Sequence, residues 1–139
     1  MVKFILGKKG SGKTKWLIEG ANEDIKQGNG NIAFLDTDDE HIFSLDYNVR
    51  LINVKDFGVE TLAGFYGFIS GMLAMDYDLE KVYIDSIYKL IDIKKEDLAA
   101  IYQEINKIAE KSECEIYLNL DFTKEEVSPE VGEVSIEVQ

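Results

Sequence analysis

One short stretch near the start of the chain restricts the folds that the remaining residues can adopt. Residues Gly7–Thr14 read GKKGSGKT and fit the phosphate-binding pattern G-x-x-x-x-G-K-[ST] without a mismatch, directly after the apolar run Val2–Leu6. Such a loop must join a strand to a helix, because its backbone N–H groups converge on the anion at the helix N-terminus, where the helix dipole favours negative charge. The stretch therefore predicts a strand–loop–helix unit that binds phosphate groups.

Each residue type in this loop suits a separate task. Glycines allow positive φ or leave room for a phosphate that a side chain would block. Lys13 would reach the β- and γ-phosphates as a point charge, and we expect it to be catalytic as well, while the Thr14 hydroxyl would be a ligand of Mg²⁺. The expected cofactors are ATP and Mg²⁺. The sequence does not give the base preference, because the loops that read the base are too variable to locate. The guanine-reading pattern N-K-x-D is absent. The predicted phosphate-binding residues are Gly7, Lys8, Lys9, Gly10, Ser11, Gly12, Lys13 and Thr14.

The composition is that of one acidic globular domain. With 139 residues, of which 45% are hydrophobic and 30% charged, we predict a single domain over residues 1–139. A formal net charge of −12 disfavours binding to nucleic acid or anionic membranes, because both need a basic face. No apolar stretch reaches the roughly 20 residues of a membrane span. The single Cys114 has no partner for a disulfide, so we expect a cytoplasmic protein.

Apolar runs and turn signals alternate along the chain in the order typical of α/β proteins. The continuous apolar run that ends at Asp36 is typical of a parallel strand buried on both faces. We therefore predict an α/β fold with a mostly parallel sheet and flanking helices. The predicted strands are Val2–Leu6, Asn31–Asp36, Arg50–Val54 at an edge, Lys81–Ser86, Glu115–Leu120 and a half-exposed strand around Val134–Val138. The predicted helices run from the loop to about Gln27, over Phe57–Met75 with Asp56 as N-cap, and over Lys95–Lys111, with a turn at Gly28–Gly30 and a solvated loop at Asp121–Glu133.

Two of the predicted strands end in an aspartate, Asp36 and Asp85. Ligands of open α/β sheets bind just outside the carboxyl ends of the strands. The Mg²⁺ that accompanies a bound triphosphate needs a carboxylate at the end of a neighbouring strand. On residue pattern alone, both aspartates are candidates for this metal-side acid.

The sequence resembles the RecA-like branch of the P-loop NTPases. In this branch the nucleotide loop is followed by a strand ending in Asp-x-Glu, an edge segment, a helix and a strand ending in Asp-Ser. The matching places here read LDTD at Leu35–Asp38 and IDSI at Ile84–Ile87, and the likeness covers about residues 2 to 121. The resemblance implies a RecA-like P-loop nucleotide hydrolase fold, with Asp85 and Thr14 as the residues of the metal site.

The resemblance also implies roles for other polar residues. The family's glutamate that polarises the attacking water falls on Asp38, which is one methylene shorter, and Glu40 is the reserve candidate. Asn119, at the end of the family's central strand, is either a contact to the γ-phosphate or an asparagine that hydrogen-bonds a loop. The recombinases of the branch have a glutamine where this chain has Leu120, and their DNA-binding loops are missing or very short here.

Catalytic rate depends on a further cation. An arginine that stabilises the transferring phosphoryl group is worth about 10³ to 10⁵ in rate. The only arginine, Arg50, is predicted on an edge strand away from the loop. We therefore expect slow hydrolysis by the chain alone. The lone His41 is interpreted as a surface or core residue.

Three functions from different classes fit these features. The leading one is an ATP-binding protein with slow, Mg²⁺-dependent ATPase activity. The second is a small-molecule phosphotransferase in which Asp36, Asp38 or Glu40 is the base, although an Arg-rich lid is absent. The third is a non-hydrolysing nucleotide sensor that forms a homo-oligomer or holds a protein partner, with the glycine-bearing helix segment Gly64–Gly71 as the contact. The alternative interpretation of these glycines is close packing on the sheet.

Overall fold

The computed structural model describes residues 1–28 and 30–139, so the predicted turn residue Asn29 lies outside the described part. The order of strands and helices along the chain is the predicted one, with an additional short helix before the last strand. In the described residues, no helix is both long enough and apolar enough to cross a membrane. The elements are β1 (Val2–Leu6), α1 (Lys13–Lys26), β2 (Asn31–Asp36), β3 (Arg50–Asn53), α2 (Leu62–Met75), β4 (Leu79–Ile84), α3 (Leu98–Ser112), β5 (Glu115–Asn119), α4 (Pro129–Glu133) and β6 (Ser135–Glu137).

The strands of the described chain form one six-stranded sheet in the order β3-β2-β4-β5-β1-β6. Every neighbouring pair is parallel, and β3 lies at an edge as predicted. Parallel strands need helical crossovers that cover both faces of the sheet, which explains their continuous apolar sequences. The predicted α/β class with a parallel sheet and flanking helices is confirmed.

Two apolar layers hold the helices against the sheet. Alternate residues of β1 divide between them: Phe4 and Leu6 pack in the layer that contains α2 and α3, whereas Ile5 packs in the layer that contains α1. On the α1 side, Leu17 and Ala21 are fully buried. This packing fixes the N-terminus of α1 at the carboxyl ends of the central strands, where the glycine-rich loop lies.

The prediction for the start of α2 is wrong. The helix begins at Leu62 rather than at Phe57, because the Thr61 side chain accepts a hydrogen bond of 3.0 Å from the Gly64 N–H and acts as the N-cap. The predicted N-cap Asp56 lies inside a separate 3₁₀ turn over Val54–Phe57. The apolar character of residues 57–61 therefore belongs to a connection and not to the helix.

The glycines of α2 do not serve close packing on the sheet. A Cβ atom built at Gly67 or Gly71 would meet no atom within 4 Å, and one at Gly64 would meet only Thr61 Oγ1, at 3.2 Å. Both Gly67 and Gly71 are exposed. The close-packing interpretation is wrong, and the contact with another subunit stays a prediction.

The acidic segment before the last strand is more ordered than predicted. Within the expected loop Asp121–Glu133 the chain forms α4, whose N-cap Ser128 accepts a hydrogen bond of 3.3 Å from Val131 N–H, and Pro129 occupies the first turn. Val131 is buried. The short helix returns the chain to the sheet, where the predicted terminal strand forms β6 beside β1.

Candidate nucleotide-binding site

The loop between β1 and α1 leaves room beside its backbone at the N-terminus of the helix. Gly10 and Gly12 have φ values of 83° and 99°, in the left-handed region that favours glycine. Gly12 is the N-cap of α1 and gives the helix no side-chain cap. A Cβ atom at Gly10 would meet nothing within 4 Å. The first N–H groups of a helix have no intrahelical partner, so this end suits an anion.

Gly7 is the point at which the loop and the C-terminal segment come closest. A Cβ atom there would lie 2.4 Å from Ser11 Oγ and 2.5 Å from the Val138 carbonyl oxygen. Val138 N–H donates to the Leu6 carbonyl at 2.8 Å, which holds the segment beside the loop. Ser11 Oγ is buried without a hydrogen-bond partner in the described residues. A buried hydroxyl of this kind needs a partner, and a phosphate oxygen would supply one.

Lys13 is held inside the loop by its own backbone. Its Nζ donates to the carbonyl oxygens of Gly7 at 2.7 Å and Lys8 at 3.1 Å, and the residue is only 6% exposed. Burial lowers the pKa of Lys13, while the carboxylates of Asp121 and Asp85 act in the opposite direction. An ammonium group has three N–H donors, so one remains for a phosphate oxygen.

Asp121 is the acidic neighbour that competes for this ammonium group. Its Oδ1 lies 3.8 Å from Lys13 Nζ, with the Asp121 side chain 47% exposed. We expect Asp121→Asn to tighten ATP binding by about 2- to 5-fold, since an ion pair this exposed is worth up to about 1 kcal/mol. Titration calorimetry measures the affinity, and Glu130→Gln in α4 is the control for the lost charge. A weaker affinity in Asp121→Asn would contradict this electrostatic assignment.

The clearest contact across the site joins the first turn of α1 to the end of β4. Thr14 Oγ1 donates to Asp85 Oδ1 at 2.9 Å, and Asp85 is only 2% exposed. The same oxygen accepts from Ser86 Oγ at 3.1 Å and from Asn119 Nδ2 at 2.6 Å. The structure thus brings together Thr14 and Asp85, the two predicted metal residues.

Asn119 makes hydrogen bonds at the end of β4 through both the nitrogen and the oxygen of its side-chain amide. Besides its donation to Asp85, its Oδ1 accepts from the Ser86 N–H at 2.6 Å. Ser86 has a φ of 61°, a left-handed conformation that is uncommon outside glycine and that this bond holds. Asn119 therefore makes the hydrogen bond to a loop that was one of its two interpretations. The γ-phosphate contact of Asn119 stays a prediction.

Asp36 and His41 form a second group beside Asp85, and the sequence reasoning missed the contribution of His41. His41 Nδ1 lies 3.0 Å from Asp36 Oδ2 and 4.0 Å from Asp85 Oδ2. Burial raises the pKa of Asp36, and the bonds from His41 and the Thr37 N–H offset only part of this effect. Burial acts to lower the pKa of His41, but the hydrogen bond and charge of Asp36, with the charge of Asp85, raise it above its usual value. The only available signal was the position of His41 in the segment that follows the end of β2.

Asp38, Glu40 and Arg50, the remaining candidates for the chemistry, make other contacts. Asp38 is half-buried and its Oδ1 accepts from the Glu40 N–H at 3.0 Å, while the Glu40 side chain is exposed. Arg50 pairs with Asp76 at 2.6 Å. Because Arg50 begins β3 and Asp76 precedes β4, this pair lies at the amino ends of the strands, opposite the loop. The structure thus leaves the arginine away from the site, and the water-activating role of Asp38 stays a prediction.

Comparison with solved structures supports the fold. The chain is similar to the crystal structure of domain III from the Thermotoga maritima replication initiation protein DnaA, with a TM-score of 0.51 and 15% sequence identity over 99% of this chain. The match spans 54% of the DnaA chain, so this protein corresponds to about half of that structure. No protein-family model matches the sequence, and no curated protein matches it. At this identity the similarity shows the α/β fold alone.

Proposed function

We propose that this chain is a nucleotide-binding protein of the RecA-like P-loop branch, which binds ATP with Mg²⁺ and hydrolyses it slowly. One observation carries the proposal: the Thr14 hydroxyl meets the buried Asp85 carboxylate at 2.9 Å. A loop that merely turned the chain would not need a hydroxyl in its last position against a strand-end carboxylate. These are the two groups that the metal site of this branch requires.

The residues of the loop fit the phosphate groups and the cation. The open N-terminus of α1 and the Lys13 ammonium would hold the phosphate oxygens, and the buried Ser11 hydroxyl offers a further partner. Thr14 and Asp85 would hold Mg²⁺, which supplies charge neutralisation at the β- and γ-phosphates. A cleft of about 490 Å³ lies beside the loop, between Gly7–Ser11 and the C-terminal Glu137–Gln139. Its volume is in the range of small-ligand sites.

We infer slow turnover because no arginine lies near the loop. The only arginine is paired with Asp76 at the other end of the strands. Lys13 remains as the cation beside the transferring group, and Asp38, with Glu40 in reserve, is proposed to orient the attacking water. The similarity to a replication initiation protein does not extend to DNA here, because the net charge of −12 opposes phosphate-backbone contacts.

The proposal is tested by thermal unfolding with and without ATP and Mg²⁺. At a ligand concentration 100 times the Kd the free energy of unfolding rises by about 2.7 kcal/mol, which corresponds to roughly 5–10 °C for a domain of this size. Absence of a rise would refute the proposal. Phosphate release, measured with and without small-molecule acceptors, separates an ATPase from a phosphotransferase. Release that is unaffected by Asp38→Ala would remove that residue from the chemistry.

A nucleotide-dependent oligomer is the second candidate, favoured by the surface of α2. The helix has no charged residue, and Gly67 and Gly71 line an open groove beside Ala33 of β2 and Ile52 of β3. Met75, the last residue of the helix, is 86% exposed, and Phe57, in the turn that precedes the helix, is 67% exposed. Light scattering after size-exclusion chromatography, with and without ATP and Mg²⁺, tests this candidate. A monomer under both conditions would eliminate it.

A further inference from the structure

Three potential metal ligands meet at the carboxyl ends of β2 and β4, beside the nucleotide loop. Asp36, His41 and Asp85 each offer one ligand atom, and these atoms all lie within 4.8 Å of one another. Both carboxylates are only 2% exposed, whereas the His41 side chain is 26% exposed. The group is therefore buried on the protein side and accessible through the imidazole.

The two oxygens of Asp85 have different surroundings. Oδ1 accepts from Thr14, Ser86 and Asn119. Oδ2 accepts no hydrogen bond within the described part of the chain and lies 4.0 Å from His41 Nδ1. Two ionised carboxylates side by side in a largely buried place repel each other. A cation between Asp36 and Asp85 would compensate both charges.

We propose that Asp36, His41 and Asp85 bind a divalent transition-metal ion of the Mn²⁺, Co²⁺ or Zn²⁺ class. This ion is distinct from the Mg²⁺ of the proposed nucleotide site, and Asp85 would bridge the two positions. Imidazole nitrogen suits zinc and other late first-row metals, whereas Mg²⁺ takes oxygen ligands in octahedral geometry. The site needs no nucleotide, so it goes beyond the proposed function.

The distances suit one shared ion after small side-chain movements. Ligand atoms of zinc lie about 2.0–2.2 Å from the metal, so two ligands of one ion are at most about 4.4 Å apart. The separations of 3.0 Å and 4.0 Å from His41 Nδ1 to the two carboxylates fall below this limit. Metal binding takes the neutral imidazole with its proton on Nε2, so that Nδ1 presents a lone pair. Water would complete the coordination.

The experiment titrates the full chain with Co²⁺ and with Mg²⁺ in the absence of nucleotide. We expect one Co²⁺ per chain, bound at least about 10-fold more tightly than Mg²⁺, and a loss of at least about 10-fold in Co²⁺ affinity in His41→Ala. Asp39→Asn, which removes a charge from the same segment outside the ligand group, is the matched control and should keep the affinity. Thr14→Val should also keep it.

Three outcomes of the titration would overturn the proposal. They are no Co²⁺ uptake by the wild type, undiminished uptake by His41→Ala, or a loss in Thr14→Val as large as that in His41→Ala, which would place the ion at the nucleotide position. Should His41→Ala fail to fold, the wild type suffices, because the chain has one histidine. Zn²⁺ should shift its ¹⁵N imidazole resonances, with the larger change at Nδ1, and unchanged resonances would refute the assignment. None of these measurements involves ATP, so their failure leaves the proposed function untouched.

Discussion

Replacing Lys13 by alanine is expected to remove between about half and nearly all of the rise in melting temperature that ATP and Mg²⁺ produce in the wild-type chain. The Lys13 residue is 6% exposed, and its ammonium group donates to the Gly7 and Lys8 carbonyls, so the substitution removes the cation that the loop holds inside itself. A hydrogen bond to a charged group is worth about 1.5–3 kcal/mol, which predicts a loss of affinity of roughly 10- to 150-fold. Thermal unfolding and titration calorimetry measure the two effects.

Lys15→Ala is the matched control for Lys13→Ala. Lys15 is an exposed lysine on the same helix, paired with Glu19 at 3.8 Å, and its charge lies outside the loop. We expect this variant to retain most of the ATP-dependent rise. A similar loss in both variants would mean that ATP binding depends on the net charge of the chain and not on the loop.

Gly7→Ala is expected to destabilise the fold by about 2–4 kcal/mol and to weaken ATP binding. Its Cβ would lie 2.5 Å from the Val138 carbonyl oxygen, which is backbone and cannot rotate away. The C-terminal segment would have to shift, with loss of the 2.8 Å bond from Val138 N–H to Leu6. Overpacking costs about 1–3 kcal/mol and a lost hydrogen bond about 1 kcal/mol, and urea unfolding measures the sum.

Gly10→Ala separates this steric effect from the backbone preference of glycine. At Gly10 a Cβ would meet no atom within 4 Å, so only its φ of 83° opposes alanine. We expect a cost of about 1–2 kcal/mol, below that of Gly7→Ala. Equal destabilisation by the two substitutions would contradict the close approach of the C-terminal segment at Gly7.

Buried strands were the part of the fold that the sequence predicted best. The run Asn31–Asp36 is a strand with the predicted limits, because only a strand covered on both faces keeps such a continuous apolar sequence. The glycine-rich loop fixed the start of α1 in the same way. Parallel pairing followed from the alternation of strands and helices, as the sheet confirms.

Helix ends were predicted less well where the cap and the apolar pattern disagree. The apolar residues before Thr61 suggested a longer α2, yet the Thr61 side chain starts the helix at Leu62. The acidic composition around α4 suggested a loop, yet Ser128 and Pro129 supply a cap and a first turn. In both places the side-chain hydrogen bond at the N-cap sets where the helix begins, and the average composition of the segment does not.

The sequence predicted the loop of the candidate site and the two aspartates at the strand ends, but it did not predict the histidine beside them. The motif identified Thr14, and the strand ends identified Asp36 and Asp85, because parallel strands bring their carboxyl ends to one edge. His41 was missed because its contact with Asp36 depends on the path of the segment after β2, which no periodic pattern describes. For the glycines of α2 the sequence left two interpretations open, packing on the sheet or a contact with another subunit, since glycine spacing does not reveal which face lacks a neighbour.

The central claim is that this chain binds ATP together with a cation held by Thr14 and Asp85. Titration calorimetry with ATP, in excess Mg²⁺ and in excess chelator, tests it in the wild type and in Asp85→Asn. The asparagine Oδ1 can still accept from Thr14, Ser86 and Asn119, so the variant removes mainly the charge. We predict that Mg²⁺ tightens ATP binding to the wild type by at least about 10-fold and that Asp85→Asn loses most of this gain. A wild type that binds ATP equally well without Mg²⁺, or an Asp85→Asn variant with the full gain, would contradict the claim.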